Sequence, residues 1–324
     1  MAHAIVIHET GGPEVMKWEE VEVGEPGEGQ VKLRQSAAGL NYIDVYFRTG
    51  TYPSESLPFT PGMEGAGEVV AVGEGVTHLK PGDRVAYAGA VGSYAEERIA
   101  PADRMVKLPD AIDDKTGAAM MLKGMTASYL LQRTYKVGPD TTFLFHAAAG
   151  GVGLIVCQWA RHLGATMIGT VGSGEKADLA KSYGCTHTIN YNSEDFVERV
   201  KEITGGKGCD VVYDSIGKDT FPASLDCLRK FGLWATFGQA SGPLPDLNLG
   251  LLAQKGSLYV TRPTLFTHIA ERADLEDISG ALFDVVKSGA IKIPVNQTYP
   301  LSEAAQAHRD LEGRKTTGST VLLT

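Results

Sequence analysis

The chain reads as α/β: a doubly wound parallel sheet inserted in a β-rich domain whose last part returns at the C-terminal end. Two patterns predict this. Between Thr142 and Val260, short apolar runs alternate with stretches of helical spacing, as a parallel sheet with crossover helices requires. The first third instead holds short strand-like runs cut by Gly, Pro and Glu clusters, as in a small barrel or sandwich.

The opening part carries strand-like runs at Ala4–Ile7, Gln30–Gln35 and Gly67–Val72, and Lys80-Pro81-Gly82-Asp83-Arg84-Val85 reads as a turn feeding a strand. From about residue 115 the period changes, and Gly117–Tyr135 reads as a helix. Six strands follow, at Thr142–Phe145, Thr166–Val171, His187–Asn190, Asp210–Asp214, Leu233–Phe237 and Ser257–Val260. Helices are expected over Val152–Leu163, Glu175–Tyr183 and Asp195–Thr204. Six strands match a full dinucleotide-binding domain. In the tail, Leu275–Ser288 reads as a helix and Ser319–Leu323 as a closing strand, and the tail is expected to pack on the first domain. The expected division is 1–124, 125–262 and 263–324.

The strongest local signal is Phe143-Leu144-Phe145-His146-Ala147-Ala148-Ala149-Gly150-Gly151-Val152-Gly153, which leaves a strand and opens a helix. Small residues let backbone N–H groups approach a pyrophosphate, and the helix N-terminus adds partial positive charge. Gly153 is expected to let helix and strand pack closely. Ala148 stands where the pattern begins with glycine, which leaves a plain glycine-rich turn as the other reading. NAD-binding domains place a carboxylate about 20 residues on, at the end of the second strand. Here Gly172 and Ser173 end that strand, and Glu175 belongs to the next helix. Ser173 and Lys176 suit the 2′-phosphate of NADPH, the alternative being that Lys176 is an ordinary solvated lysine.

The formal net charge of −9 speaks against nucleic acid as the main partner. Cys157, Cys185, Cys209 and Cys227 form no C-x-x-C pair and read as reduced thiols, which fits the cytoplasm. No apolar run is long enough to span a membrane, and Met1–Thr10 does not read as a secretory signal. The eight histidines are scattered without metal-like spacing, and His146 reads as a core or loop residue.

Gly-Leu-Asn-Tyr-Ile-Asp at 39–44, Pro61-Gly62-Met63-Glu64-Gly65-Ala66-Gly67, Pro81-Gly82-Asp83-Arg84-Val85, and Ala148-Ala149-Gly150-Gly151-Val152-Gly153 followed by Gln158 and Arg161 occur in this order. Together they resemble the zinc-free quinone oxidoreductases, the zeta-crystallin-like branch of the medium-chain dehydrogenase/reductases. The resemblance spans essentially the whole chain. It implies a Rossmann nucleotide domain inserted in a GroES-like catalytic domain, an active cleft at their junction, and NADPH-dependent quinone reduction by a homodimer or homotetramer. It also implies pairing of subunits through the edge strand near Lys255–Pro263.

Zinc-dependent relatives carry a cysteine at the place of Asn41 and a histidine at the place of Met63, so the resemblance implies no metal. Residues 80–120 contain no cysteine for a structural zinc lobe. A Tyr-x-x-x-Lys pair occurs at none of the twelve tyrosines.

By the same resemblance Asn41 lies beside the nicotinamide, able to hydrogen bond a substrate oxygen; a capping asparagine is the alternative. Tyr46 and Tyr52 are candidates to stack on a planar ring or donate a proton, against ordinary half-buried tyrosines. Asp44 is near enough in sequence to tune that site. Thr126 matches a position near the cofactor, Tyr191 the adenosine phosphate side, and Arg314 an arginine that reaches the 2′-phosphate, with a solvated arginine as the alternative. Ser215, Phe237 and Gly238 end the fourth and fifth strands, where open sheets bind ligands. Reduction of an activated carbon–carbon double bond is the second enzymatic reading, with a tyrosine as proton donor. A NADPH-binding sensor or structural protein is the third.

Overall fold

The computed structural model describes residues 1–89 and 91–324. The chain divides into two compact units: Met1–Met125 with Ile269–Lys287 and Ile293–Thr324, and Thr126–His268 with Ser288–Lys292. The second unit runs past residue 262 because His268 stacks on Tyr129 at 4.4 Å, and it takes back Lys292 because Gln158 Nε2 donates to the Lys292 carbonyl at 2.8 Å.

The first unit begins with β1 (Ala2–Ile7) and β2 (Met16–Val21), an antiparallel pair. Then come β3 (Gln30–Leu40), α1 (Tyr42–Arg48), β4 (Glu64–Val72), β5 (Arg84–Ala88), β6 (Glu97–Pro101), β7 (Val106–Lys107) and α2 (Asp114–Tyr129). Alternate residues of β3 and β4 point inward, and Val31, Leu33, Val69, Val85 and Tyr87 meet in a fully buried core. Helical conformation continues past α2 as a π-type segment over Leu130–Thr134, ending at the extended Tyr135.

In the second unit, β8 (Thr142–Phe145), β9 (Thr166–Val171), β10 (His187–Asn190), β11 (Cys209–Asp214), β12 (Leu228–Thr236) and β13 (Tyr259–Thr261) form one sheet in the order β10-β9-β8-β11-β12-β13. Every pairing is parallel. Strand order reverses beside β8, so the crevice at its C-terminal end lies where open α/β sheets bind ligands. The helices are α3 (Gly151–His162), α4 (Gly174–Ser182), α5 (Phe196–Ile203), α6 (Ala223–Asp226), α7 (Leu249–Gln254) and α8 (Leu265–His268). Leu144, Ile168, Ile189, Val212 and Trp234 make the core on one face of this sheet.

The fifth strand starts at Leu228, five residues before the position expected from the sequence. Phe231 adopts φ 60°, and the register with β11 shifts between Cys209 and Val211. The irregularity breaks the apolar run, so only the part after it is legible as a strand. The sixth strand is Tyr259–Thr261, shifted from Ser257–Val260 because Ser257 sits at φ 55° and cannot join a strand.

The tail adds α9 (Arg272–Lys287), β14 (Val295–Pro300), α10 (Ala304–Glu312) and β15 (Ser319–Leu323). β15 pairs antiparallel with β3 and parallel with β14, completing a sheet in the order β14-β15-β3-β4-β5-β7 with β6 also on β3. No helix among the described residues is long and apolar enough to cross a membrane.

Candidate active site and nucleotide cradle

In the nucleotide unit the loop between β8 and α3 turns on Ala147, at φ 59°. Gly150 is the N-cap of α3, so Gly151, Val152 and Gly153 form its first turn with their N–H groups at the helix mouth. A Cβ on Gly153 would lie 2.5 Å from the carbonyl oxygens of both Ala147 and Ala148. Only glycine lets α3 approach β8 this closely, and the resulting cradle of small residues fits a pyrophosphate. Ala148 stands where the usual pattern has glycine, and its methyl is accommodated by a glycine on the neighbouring strand: a Cβ on Gly169 would be 2.5 Å from Ala148 Cβ.

Beside this loop, Ser173 caps α4, its hydroxyl accepting the Lys176 N–H at 3.2 Å. No carboxylate lies between the end of β9 and this cap. Tyr191 follows β10 and is 42% exposed, with its hydroxyl over Gly172: a Cβ there would be 2.6 Å from it. Asn192 Nδ2 donates to the Gly172 carbonyl at 2.7 Å, holding this corner together. At the ends of β11 and β12, a Cβ on Gly238 would be 2.6 Å from the Ser215 carbonyl, and Phe237 packs on Phe145 with ring centroids 5.8 Å apart. Ala149–Gly153, Ser173, Lys176, Tyr191, Ser215, Phe237 and Gly238 thus share one end of one sheet. Thr126 is buried in α2.

Behind the loop a buried polar cluster braces the strands. His146 Nδ1 is 3.0 Å from Thr170 Oγ1 and its Nε2 3.0 Å from Ser224 Oγ. Asp214 accepts from Thr220, Ser224 and the Trp234 indole. Burial lowers the His146 pKa from its ordinary value, against the raising effect of Asp214, so the ring is neutral. His146 is a core residue.

In the other unit, Asn41 caps α1 and is buried. Asp44, one turn on, accepts its backbone N–H at 2.8 Å. Asn41 Nδ2 donates to Glu64 Oε2 at 2.8 Å and to the Gly39 carbonyl at 3.2 Å. Glu64 is fully buried and receives Lys123 Nζ at 3.0 Å and the Leu122 N–H at 2.8 Å. Gly39 has to be glycine here, since a Cβ would lie 2.1 Å from the Ala118 carbonyl and 2.4 Å from Glu64 Oε2.

A second chain leads away from Asp44. Tyr94 Oη donates to Asp44 Oδ2 at 2.9 Å and lies 3.2 Å from His308 Nε2, while Arg48 Nη1 stands 3.0 Å from His308 Nδ1. A guanidinium only donates, so Nδ1 is the acceptor and Nε2 carries the hydrogen. Burial raises the Asp44 carboxyl to about 7, with the Asn41 N–H and the Tyr94 hydroxyl acting against it. Burial, with Arg48 adding to it, lowers His308 to about 3. Tyr46 and Tyr52 are half-buried and packed together, centroids 5.1 Å apart, with Tyr42 and Phe47 flanking them. Arg314 is exposed at φ 57°, just after α10, in the same unit.

Glu64 and Lys123 were not singled out as site residues from the sequence. Each carries a signal: an acid among glycines and alanines in β4, and a lone cation in the apolar run Ala118–Met125 of α2. His308 carries none, since its partners come from α1 and the loop before β6.

The family model "Alcohol dehydrogenase GroES-like domain" matches residues 27–110, and "Zinc-binding dehydrogenase" matches residues 151–277. A quinone oxidoreductase of Pseudomonas aeruginosa is 52% identical over 324 residues, covering 100% of both chains. A 2-haloacrylate reductase of Burkholderia is 50% identical, covering 100% of this chain and 99% of that one. The crystal structure of Escherichia coli quinone oxidoreductase complexed with NADPH superposes with a TM-score of 0.98 at 51% identity, covering 100% of both chains.

A Rossmann unit joined to a GroES-like unit defines a medium-chain dehydrogenase/reductase. Within that class, the chain belongs to the quinone oxidoreductase family. The zinc in the name of one matching model does not fit the residues present. Asn41 and Met63 offer an amide and a thioether, and the described residues contain no group of three or more His, Cys, Asp or Glu able to hold a metal ion.

Proposed function

We propose that this protein reduces quinones to hydroquinones with NADPH, without a metal. The observation that supports this most directly is the cradle at Gly150–Gly153 with Ser173 and Lys176, and no carboxylate, following β9. When bound, NADPH would supply a hydride from its reduced nicotinamide ring, or the same two electrons and proton in separate steps, and one further proton from solvent completes the hydroquinone. Gly151, Val152 and Gly153 present N–H groups to the pyrophosphate, and Ala149 keeps its approach open. Ser173, Lys176 and Tyr191 hold the 2′-phosphate side, where a carboxylate would repel it, and Arg314 is the arginine that the family resemblance assigns to the same phosphate. Thr126, Ser215, Phe237 and Gly238 line the path of the dinucleotide along the strand ends. Asn41 orients the nicotinamide half, and Tyr46 and Tyr52 position the planar acceptor by ring packing. An electron-poor quinone accepts hydride without strong carbonyl polarisation, so positioning and exclusion of water suffice.

The test is oxidation of NADPH and NADH, followed at about 340 nm where the reduced ring absorbs, with 1,4-benzoquinone, 9,10-phenanthrenequinone and a simple enone. Quinone-dependent loss of NADPH, faster than of NADH and unaffected by chelator, is expected. Chelator-sensitive activity overturns the metal-free reading. Reduction of an activated carbon–carbon double bond is the second reading, favoured by the 2-haloacrylate reductase at 50% identity; preference for the enone selects it.

We also propose a homodimer formed through β13. This strand ends the sheet, and Tyr259 and Val260 on it are exposed, as is Phe231 nearby at 61%. An apolar, unpaired edge is covered when a second copy adds its own strand. Light scattering of the wild type and Val260→Lys tests this, the variant shifting towards monomer. Four buried free thiols fit a reducing cytoplasmic setting.

A further inference from the structure

The amide of Asn41 has only one chemically acceptable orientation. Its terminal nitrogen lies 2.8 Å from Glu64 Oε2 and 3.2 Å from the Gly39 carbonyl. Both partners are acceptors, so both contacts need N–H groups. Turning the amide over would press its oxygen against a carboxylate in a place where Asn41 is 5% and Glu64 0% exposed. Two buried acceptors facing each other lose a hydrogen bond and repel.

Glu64 is itself held on both oxygens. The Leu122 N–H reaches Oε1 at 2.8 Å, and the Lys123 ammonium, 6% exposed, reaches Oε2 at 3.0 Å. An amide N–H and an ammonium can only donate, so both Glu64 oxygens are engaged as acceptors. Both N–H groups of Asn41 are thereby used within the protein, and its Oδ1 faces the Asp44 N–H in the capping box of α1 with one lone pair, so the other lone pair is what the side chain has left to offer.

We infer that Glu64 and Lys123 are positioning residues that fix Asn41 as a hydrogen-bond acceptor, so that Asn41 binds a hydroxyl of the ligand. The inference rests on the proposed function, which puts Asn41 at the ligand. It changes the role expected from the sequence: Asn41 does not donate to a quinone carbonyl, because the carbonyl is another acceptor. Two ligand hydroxyls share the required chemistry, a ribose hydroxyl on the nicotinamide side of the nucleotide and the O–H of the hydroquinone product. The first makes Asn41 a determinant of cofactor affinity. The second makes it a contact that exists only after reduction.

The test is binding. Wild type, Asn41→Leu and Glu64→Gln are titrated by fluorescence with NADPH and with NADPH lacking the 2′-hydroxyl of the nicotinamide ribose. The same proteins are titrated with hydroquinone and with its dimethyl ether. Wild type is expected to prefer the hydroxyl-bearing member of one pair by about tenfold, a typical loss for one hydrogen bond. Both variants are expected to abolish that preference while leaving affinity for the other member unchanged. The pair in which this occurs identifies the hydroxyl.

Equal preference in wild type and variants overturns the inference, as does a wild type indifferent to both hydroxyls. Glu64→Gln strands the buried Lys123 cation; should it fail to fold, Glu64→Gln with Lys123→Met takes its place, and Asn41→Leu tests the acceptor with the ion pair intact. A wild type that binds NADPH and turns over quinone while failing these tests loses the inference alone. A wild type that binds neither ligand loses the proposed function itself.

Discussion

Ala148 and Gly169 share one volume: the methyl of the first stands where any side chain on the second would be, with a Cβ on Gly169 only 2.5 Å from Ala148 Cβ. The nucleotide loop therefore carries its first small residue as alanine because the adjacent strand supplies the missing space. Gly169→Ala is expected to destabilise the protein by about 1–3 kcal/mol in urea unfolding, the usual cost of overpacking. Ala148→Gly in the same chain should restore part of it, because Cys185 Sγ would still lie 2.8 Å from the new Cβ. Two separate losses that simply add would show that the residues are not coupled.

Gly153 faces backbone rather than a side chain. Its added Cβ would lie 2.5 Å from two carbonyl oxygens, which cannot swing aside. Gly153→Ala must move α3 away from β8, carrying the N–H groups of Gly151 and Val152 with it. An NADPH dissociation constant raised at least about tenfold is expected, measured by fluorescence titration.

On the proposed reading, Lys176 and Arg314 carry the preference for NADPH, with no acid between β9 and the α4 cap to compete. Lys176→Ala and Arg314→Ala should each weaken NADPH by about 10–100-fold, the range of a lost charge-assisted hydrogen bond, and leave NADH nearly unchanged. Comparison of kcat/KM for the two nucleotides checks this. Equal losses on both would place these side chains away from the 2′-phosphate.

Asp44 and His308 oppose each other in the dependence of stability on pH. Asp44 is raised from 3.8 to about 7, so its contribution is complete below 3.8 and is lost as pH rises through about 7. His308 is lowered from 6.5 to about 3, so its contribution is complete above 6.5 and is lost as pH falls towards about 3. Between 3.8 and 6.5 folding takes up a proton at one and releases one at the other, and the slopes cancel. Relative to wild type, Asp44→Asn should make stability rise more steeply with pH across that range, and His308→Gln should shift the slope downwards, each by at most about 1.4 kcal/mol per pH unit, while His146, also lowered by burial, contributes a rising slope to both variants. Chemical denaturation at a series of pH values measures both slopes, and a variant whose slope matches wild type would remove its group from the account.

The nucleotide unit was legible because its information is local. Apolar runs fell on β8, β9 and β10 with the bounds observed, and the loop after β8 announced itself by small residues between a strand and a helix. Where backbone at φ near 60° interrupted the pattern, as at Phe231 and Ser257, the strand bounds were misplaced. Side-chain alternation cannot register a bulge whose cause lies in the neighbouring strand.

The sequence by itself determined the fold class, the phosphate loop, the lack of an acid after β9 and, through the order of its motifs, the family. Only the tertiary structure decided what Asn41 has left to offer a ligand, why Ala148 is tolerated, and that burial displaces the pKa values of Asp44 and His308 in opposite directions. Each of these depends on a partner distant in the chain: Glu64 for Asn41, Gly169 for Ala148, and Tyr94 between Asp44 and His308. Local propensity is set by neighbours within a few residues. Hydrogen-bond direction, shared volume and desolvation are set by whatever the fold brings alongside.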